Sequence, residues 1–574
     1  MSSKSSTRIR FLAVLFVLFS GLLITRLFFL QVVKNQYYKD MADNQYMVLS
    51  ANIFNRGDIF FSAKDGNLVS AATIKQGFTV VVNPKLVKSA TTTAEKLAGV
   101  FSRFGQDFDQ EQFLLQVTKK NDSREEVVKK ISKPIAEEIR SLALKDTILE
   151  KTRWRYYPAS STASHVIGFM GYKGDDYTGR YGLEKSYNDI LTRAEKQTFV
   201  NFFAEIYRGL GKNIASTTSG RAEGNIVLTI EPTVQNYLET ILDKAKDKYN
   251  AESIGGIVID PSTGEIRAMA SLPNFNPGEK QINLEIMSNS MVENIYEMGS
   301  IVKALTMAAA LDSGAVTAKT TYNDKGSLTM NKKTIYNYDG KARGVVSMQE
   351  VLNQSLNTGV TFAMQQMGKD NFKRYFLNYG LGEKTGIDLP DEATGLVSTL
   401  NNNQDIEFAT ASFGQGISVS PIEITRALCA LGNGGMLIRP HVVKEIRYQT
   451  GLKTEIKPEI QRQVLKKSTS EEISRMLVEV VDTKLANGKA KLPYMSVAAK
   501  TGTAQMVDPN TRKYYEDRYL HSFFGYFPAY NPRFLVFLYV KNPKGVQYAS
   551  ETLTLPFMDM TKYLINYYNI PPDR

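Results

Sequence analysis

The sequence predicts an α+β protein made of one N-terminal transmembrane helix, a mixed stalk, and a C-terminal domain whose helices flank an antiparallel sheet. Three observations predict this arrangement. Residues 11–33 form an apolar run in which Arg26 is the single charge. Near residue 223 the irregular, glycine-rich sequence gives way to regular strand and helix patterns. After that change, strand patterns lie at both ends of a helical middle. Such an order favours an α+β or α/β body whose first and last segments close one sheet.

The apolar run of residues 11–33 is long enough to cross a bilayer as a helix. Lysine and arginine residues precede it, which predicts that residues 1–10 lie in the cytoplasm and that the remainder is exported. A cleaved signal peptide is the alternative, but no small-residue cleavage pattern follows the run. We therefore expect a single-pass protein of the cell membrane with an extracytoplasmic body, either periplasmic or on the outer face.

Residues 34–222 are predicted to form an elongated stalk or pedestal of mixed structure. Short strands broken by turns are indicated before residue 84, and residues 90–150 have charged, helix-like patterns. The segment after residue 150 is irregular and rich in glycine. No nucleophile lies beside a base in this part of the chain, so it is interpreted as a docking module.

Residues 223–574 are predicted to form the main domain. The pattern starts with a strand that leads into an amphipathic helix and ends with strands on either side of a turn. Helices are predicted over 301–312 and 347–366, and cap or turn signals lie at Pro261–Gly264, Ser420–Glu423 and Asn531–Pro532.

Composition narrows the possible functions. The chain has 574 residues and a formal net charge of +12, which favours polyanionic neighbours such as nucleic acid, anionic lipid or acidic wall polymer, although a general compositional bias explains it equally well. No long basic run or nucleic-acid module is present, so no nucleic-acid partner is expected. One cysteine, Cys429, excludes an intrachain disulfide and is expected to be buried, and three dispersed histidines predict no metal site.

Three short motifs follow one another in the main domain. Ser300 and Lys303 are one helical turn apart at the start of an apolar helix, a pattern that also fits an N-cap serine and a surface lysine. Ser355 and Asn357 come next, separated by one residue. The last motif consists of Lys500, Thr501, Gly502 and Thr503. Each motif alone is weak, but their order is the signature of penicillin-binding proteins and class A β-lactamases.

The chain resembles a class B penicillin-binding protein, a monofunctional peptidoglycan D,D-transpeptidase, over nearly its whole length, and the FtsI type most of all. The resemblance includes "TRLFFLQVVKNQYY", "NRGDIFFSAKDG", "GRYGLEKSYNDIL", "IDPSTGEIRAMASLPNFNP" and "GQGISVSPIEITRA". It implies the penicillin-binding and serine β-lactamase-like fold on a dimerisation-type stalk. Two positions depart from the family pattern: Met298 stands where proline is usual, and Ala499 where glycine is usual.

The resemblance also implies a role for each motif residue. Ser300 is expected to be the nucleophile and Lys303 its base, which must be neutral to take a proton. Ser355 would relay a proton, Asn357 would donate to the peptide oxygen of the substrate, and Lys500 would supply positive potential. The residues expected to bind substrate are Thr501, Gly502 and Thr503. The backbone N–H groups of Ser300 and Thr503 would form the oxyanion hole.

The function implied is the crosslinking of stem peptides ending in D-Ala-D-Ala, with an amine acceptor, no cofactor, and β-lactams as inhibitors. A septal role is favoured, together with a membrane glycan polymerase of the FtsW or RodA type as partner. Three alternatives stay open: an elongation-type transpeptidase, a D,D-carboxypeptidase or β-lactamase-like hydrolase, and a non-catalytic division scaffold. Outside the motifs, we expect His521 and Tyr526 to be wall or core residues and Arg56 and Glu184 to be structural.

Overall fold

The computed structural model describes residues 55–574, apart from 120–121, 175, 194–222, 280–282, 284, 403 and 512, and a few helical residues between 19 and 28. The predicted cytoplasmic residues 1–10, most of the predicted anchor 11–33 and the predicted boundary at residue 222 lie outside the described residues. Among the residues that are described, none belongs to a helix of the length and hydropathy needed to span a bilayer.

The strands are numbered along the described chain. They are β1 (Ile59–Ser62), β2 (Leu68–Val82), β3 (Glu125–Ile131), β4 (Thr147–Tyr156), β5 (Met170–Lys173), β6 (Asp176–Gly179), β7 (Gly224–Leu228), β8 (Ser253–Ile259), β9 (Ile266–Leu272), β10 (Thr321–Asp324), β11 (Ser327–Met330), β12 (Lys333–Tyr336), β13 (Gly344–Ser347), β14 (Met436–Ile438), β15 (Val443–Tyr448), β16 (Lys453–Glu455), β17 (Ile460–Gln463), β18 (Ala498–Val507), β19 (Tyr514–Phe527) and β20 (Phe534–Lys541).

The α-helices are numbered in the same way. They are α1 (Ala90–Arg103), α2 (Gln110–Val117), α3 (Lys133–Ser141), α4 (Ser164–Ile167), α5 (Gly182–Ser186), α6 (Asn188–Leu191), α7 (Pro232–Lys248), α8 (Val302–Asp312), α9 (Met348–Asn353), α10 (Asn357–Met367), α11 (Lys369–Asn378), α12 (Asp405–Ser412), α13 (Pro421–Gly432), α14 (Lys467–Thr483) and α15 (Ala549–Tyr568). Short 3₁₀ turns lie at Glu285–Met287, Gly299–Ile301, Ser398–Asn401 and Leu485–Gly488.

The chain divides into two compact units. The described part of the small unit is essentially residues 74–154, where β2 pairs with β3 and β4 and helices α1 to α3 cover a core that includes Leu97, Phe101 and Phe113. Residues 125–131, predicted to be helical, form β3 instead. Val128 pairs with Val80 across the sheet, so pairing of β-branched residues outweighs the helix-like charge pattern.

The large unit comprises residues 56–73, 155–193 and 211–574, so it takes in two segments that the sequence analysis assigned to the stalk. Its main sheet is antiparallel, in the order β18-β19-β20-β8-β9. Leu535 of β20 pairs with Ile259 of β8, which confirms that the last and first segments of this domain close one sheet. Strand β18 lies at the edge of that sheet, where its outer side is open to a further strand.

A second sheet in the large unit explains why the early segment, residues 56–73, belongs to that unit. Strand β7 lies between β1, which is parallel to it, and β15, which is antiparallel. Buried side chains from both of its neighbours pack with Ile226 and Leu228 in the largest core cluster. The strand at residues 224–228 therefore joins the early segment to the main domain.

Several local predictions are confirmed. Ser420 and Glu423 form a reciprocal capping box at the start of α13. Gly264 occupies the tight turn between β8 and β9 with φ of +82°, a backbone conformation that favours glycine. Cys429 is completely buried within α13.

A buried ionic cluster joins residues 56–73 to residues 155–193 within the large unit. The Glu184 carboxylate accepts from Arg56 Nε at 2.5 Å and from Arg155 Nε at 2.6 Å, and all three side chains are almost fully buried. Arg155 also donates to the Gly57 carbonyl at 2.7 Å. Burial opposes ionisation, but the two guanidinium groups hold the pKa of Glu184 below its usual value. This geometry fits the structural role expected for Arg56 and Glu184.

Glu184→Gln is expected to lower the free energy of unfolding by about 3 kcal/mol, because it leaves two buried guanidinium groups without a counter-charge. Denaturant titration of the purified protein measures the loss. The matched control is Glu459→Gln, which breaks a pair with Arg439 at 3.1 Å in which both side chains are exposed. That control should change the free energy by less than about 1 kcal/mol. Equal losses in the two variants would contradict the proposed importance of the buried cluster.

Candidate active site

Ser300 lies on a 3₁₀ turn, Gly299–Ile301, directly before α8. Gly299 has φ of +62°, and a Cβ atom there would lie 2.8 Å from the Thr503 carbonyl oxygen. Glycine is therefore required, since the turn packs directly against strand β18. The N-cap of α8 is Ile301, so the alternative of Ser300 as a capping serine is wrong. No hydrogen bond joins the Ser300 hydroxyl to another described residue, which leaves it available for reaction.

Two lysine side chains converge on one serine. Lys303 Nζ donates to the Ser355 carbonyl oxygen at 2.5 Å and to Ser355 Oγ at 3.1 Å. Lys500 Nζ donates to the same Oγ at 2.9 Å. Lys303 is 1% exposed and Lys500 is 3% exposed. The structure thus brings residues from three distant segments into one contact, in which both lysines are buried and Ser355 is half-buried.

Burial changes the protonation of both lysines. Desolvation, together with the nearby charge of Lys500, holds the pKa of Lys303 well below its ordinary value. Desolvation lowers the pKa of Lys500 to about 7. Two ammonium groups that share one hydroxyl repel each other in a medium of low polarity. A neutral Lys303 beside a partly charged Lys500 is the arrangement that this environment favours.

Ser355 interrupts a helix that the sequence analysis predicted to be continuous over 347–366. The structure contains α9 and α10 instead, and Ser355 lies between them with φ of +55°. The left-handed conformation is uncommon for serine and turns its side chain toward the two lysines. The signal that could have revealed the break is the run "NQSLNTG", which is poor in strong helix formers.

Asn357 is the first residue of α10. Its Nδ2 group donates to the Tyr336 carbonyl oxygen at 2.8 Å, which fixes the orientation of the amide. The same side chain lines the groove in which Ser300 and the two lysines lie. One N–H of the amide remains able to donate to a ligand in that groove.

Strand β18 carries the last motif. Thr501 and Thr503 line the groove, and Thr503 Oγ1 accepts from the Ala549 N–H at 3.0 Å, which leaves the hydroxyl proton free to donate elsewhere. Gly502 does not line the groove, and its expected part in substrate binding stays a prediction. A Cβ at residue 502 would lie 2.7 Å from the Met298 carbonyl oxygen and 3.0 Å from Ile301 N. The absence of a side chain lets the Ser300 turn pack on the strand.

The groove has a volume of about 970 Å³ and contains every predicted site residue except Gly502. Sequence reasoning missed other lining residues, among them Tyr338, Phe413, Gln505, Tyr519 and Tyr548. Tyr338 and Tyr548 contact each other edge to face, with ring centroids 6.0 Å apart. No local motif identifies these residues, because tertiary packing brings them to the groove.

The two departures from the family pattern both point away from the groove. Met298 is 1% exposed, and its carbonyl oxygen accepts from Ser522 Oγ at 2.7 Å. Ala499 is fully buried and pairs with Gly525, where a Cβ would lie 2.8 Å from the Ala499 Cβ. Neither side chain therefore meets a ligand directly.

His521 and Tyr526 are confirmed as buried residues behind the site. His521 Nδ1 contacts Thr552 Oγ1 at 2.9 Å, and burial lowers the pKa of its imidazole to about 4. The Tyr526 hydroxyl contacts Ser474 Oγ at 2.8 Å. Both side chains support strand β19 and the helices packed on it.

Two family models match parts of this chain. A family model described as the penicillin binding protein transpeptidase domain matches residues 254–559, and one described as the penicillin-binding protein dimerisation domain matches residues 55–217.

Among curated proteins, the chain is 33% identical to the stage V sporulation protein D of Bacillus subtilis, covering 95% of this chain and 84% of that protein. It is 29% identical to the probable peptidoglycan D,D-transpeptidase FtsI of Caulobacter vibrioides, covering 71% of this chain and 64% of that protein. Among solved structures, penicillin-binding protein 3 of Mycobacterium tuberculosis, complexed with aztreonam, has a TM-score of 0.67 at 22% identity and covers 91% of this chain and 98% of that one. This last similarity establishes a common fold.

Proposed function

Since this chain belongs to the class B penicillin-binding proteins, we propose that it crosslinks peptidoglycan as a serine D,D-transpeptidase acting on stem peptides that end in D-Ala-D-Ala. The observation that supports this proposal best is the convergence of Ser300, Lys303, Ser355 and Lys500 in one groove. A scaffold protein has no need to bury two lysines against a serine at the cost of their hydration.

Acylation begins when Ser300 Oγ attacks the carbonyl carbon of the penultimate D-Ala. A serine hydroxyl is a weak nucleophile until a base takes its proton, and the lowered pKa of Lys303 makes a neutral amine available for this task. The peptide C–N bond then breaks. Ser355, which contacts both lysines, passes a proton to the departing nitrogen, and D-Ala leaves as a free amine. An ester between Ser300 and the donor peptide remains.

The groove supplies the groups that hold the substrate. Thr501 and Thr503 bind the terminal carboxylate, Lys500 adds positive potential, and the free N–H of Asn357 donates to the peptide oxygen. The backbone N–H groups of Ser300 and Thr503 stabilise the oxyanion, and donors of this kind contribute about 3 kcal/mol each. The donor peptide adds to the open edge of β18 as an extra strand.

The second half of the reaction transfers the acyl group. An amine of a neighbouring stem peptide attacks the ester carbon, the C–O bond to Ser300 breaks, and the amine loses a proton as the hydroxyl regains one. The product is the crosslink. The same acyl-enzyme forms when a β-lactam opens on Ser300, and the stable ester then blocks the site.

We extend the proposal to the cellular setting. Residues 11–33 serve as a single membrane anchor, with the large unit outside the cytoplasm. A membrane glycan polymerase of the FtsW or RodA type is the proposed partner. A septal role is supported by similarity to the protein named FtsI, and the similarity to a stage V sporulation protein favours a related role in spore formation.

The proposal predicts a covalent adduct on Ser300 after exposure of the full chain to a fluorescent penicillin. Mass spectrometry of the digested protein locates the adduct, and Ser300→Ala should carry none. Ser474→Ala is the matched control, since that serine is buried beside Tyr526 and should leave labelling unchanged. The ester should persist for hours in a transpeptidase, whereas release within seconds would instead indicate a β-lactamase. An adduct on another residue would contradict the proposal.

The rate of acylation should depend on pH in two opposite ways. It should rise as Lys303 loses its proton, well below pH 10, because only the neutral amine acts as a base. It should fall above about pH 7 as Lys500 loses its charge. In Lys500→Arg the falling limb should disappear, since arginine stays charged. Stopped-flow kinetics with a penicillin measures both limbs, and a rate that keeps rising to pH 10 in the wild type would contradict these assignments.

A further inference from the structure

A buried carboxylate outside the groove accepts hydrogen bonds from four residues. Asp324, at the end of β10, is 1% exposed. Its oxygens accept from Thr358 Oγ1 at 2.7 Å, from Arg343 N at 3.0 Å, from Gly326 N at 3.1 Å, and from Asn337 Nδ2 at 3.0 and 3.1 Å. These donors come from different segments, so the carboxylate is a junction between them.

The junction joins the loop between β12 and β13 to the start of α10. Asn337 belongs to that loop, and Thr358 belongs to the first turn of the helix. Asn337 Oδ1 also accepts from Thr358 N at 3.3 Å, and it lies 3.1 Å from Thr358 Oγ1, whose single proton is donated to Asp324 at the shorter distance. The loop and the helix start are therefore held together through Asp324 and through each other.

The junction includes the residues next in sequence to the two partners of the hydrogen bond that orients Asn357. Asn357 precedes Thr358 in the chain, and the Tyr336 carbonyl that accepts from its Nδ2 precedes Asn337. Tyr336 and Asn357 are thus each adjacent in sequence to a residue that is hydrogen-bonded to Asp324. A side-chain amide can turn through half a circle at little cost, and the Tyr336 carbonyl specifies that the NH₂ end faces it.

We propose that Asp324 is a positioning residue for acyl transfer, which fixes the amide of Asn357 through the Tyr336 carbonyl and the Thr358 side chain. The inference rests on the proposed function, because the orientation of Asn357 matters to catalysis only if a peptide lies in the groove. Asp324 does not line the groove.

Asp324→Asn tests the proposal with little change in volume. Both carboxylate oxygens accept hydrogen bonds, whereas an amide nitrogen cannot, so at least one buried donor loses its partner. Acylation of the full chain by a fluorescent penicillin, whose acylamino carbonyl takes the place of the peptide oxygen, is measured for Asp324→Asn, Asn357→Ala and the double variant. Asp324→Asn alone should slow acylation about tenfold, and it should slow it no further when Asn357 is already alanine.

The matched control is Asp312→Asn, another buried carboxylate that makes several hydrogen bonds. Asp312 accepts from Lys466 N at 2.8 Å and from Thr469 Oγ1 and Tyr375 Oη at 2.7 Å, none of which contacts Asn357. Its replacement should lower the midpoint of thermal unfolding but change the acylation rate less than about twofold. Thr358→Val, which removes one bond to Asp324, provides a milder second variant with the same expected dependence on Asn357.

Three results would overturn the inference. The first is that Asp324→Asn is acylated at the wild-type rate. The second is that Asp324→Asn slows acylation by the same factor whether residue 357 is asparagine or alanine, which would indicate a structural role alone. In either case the wild type still forms its adduct on Ser300, and the proposed function stands. If the wild type forms no adduct on Ser300, the proposed function fails and this inference fails with it.

Discussion

The shared contact of two buried lysines with one serine hydroxyl is the constraint on which the rest of the site depends. Lys303 and Lys500 both donate to Ser355 Oγ, and neither is more than 3% exposed. Two full charges in such a place would lose their hydration and repel each other. Loss of a proton from Lys303 removes one of the two charges, and the neutral amine produced in this way is the base that the proposed reaction needs. Stability and chemistry therefore require the same protonation state.

The fold brings three distant segments together at that contact. The turn before α8 carries Ser300, the break between α9 and α10 carries Ser355, and the edge strand β18 carries Lys500. Close approach needs glycine at residues 299 and 502, where a Cβ would collide with backbone atoms of the facing segment. Closure of the sheet by β20 and β8 fixes the strand order, so that β18 remains at the edge and open to a peptide.

The sequence predicts which residues meet in the groove better than it predicts the elements around them. Ser300, Lys303 and Lys500 could be found because their residue types and order are constrained by the chemistry. The break at Ser355 is harder to predict, since apolar periodicity continues through it and the only local signal is that the run "NQSLNTG" is poor in strong helix formers. The charge pattern of residues 125–131 predicts a helix, but these residues form strand β3 because they pair with β2, and local charge patterns carry no information on cross-strand pairing. Tyr548 lies near the C-terminal end of the sequence but lines the same groove as Ser300, and no local sequence signal predicts that contact.

The most direct test of this account is an NMR titration of the protein labelled with ¹³C at the lysine ε-carbons, with Lys303→Arg and Lys500→Arg used to assign the two signals. The account predicts that Lys500 titrates near pH 7 and that Lys303 is neutral well below pH 10, far from ordinary lysines. If both signals titrate together with the surface lysines near pH 10.4, the two ammonium groups are charged at neutral pH, and Lys303 cannot be the base that activates Ser300.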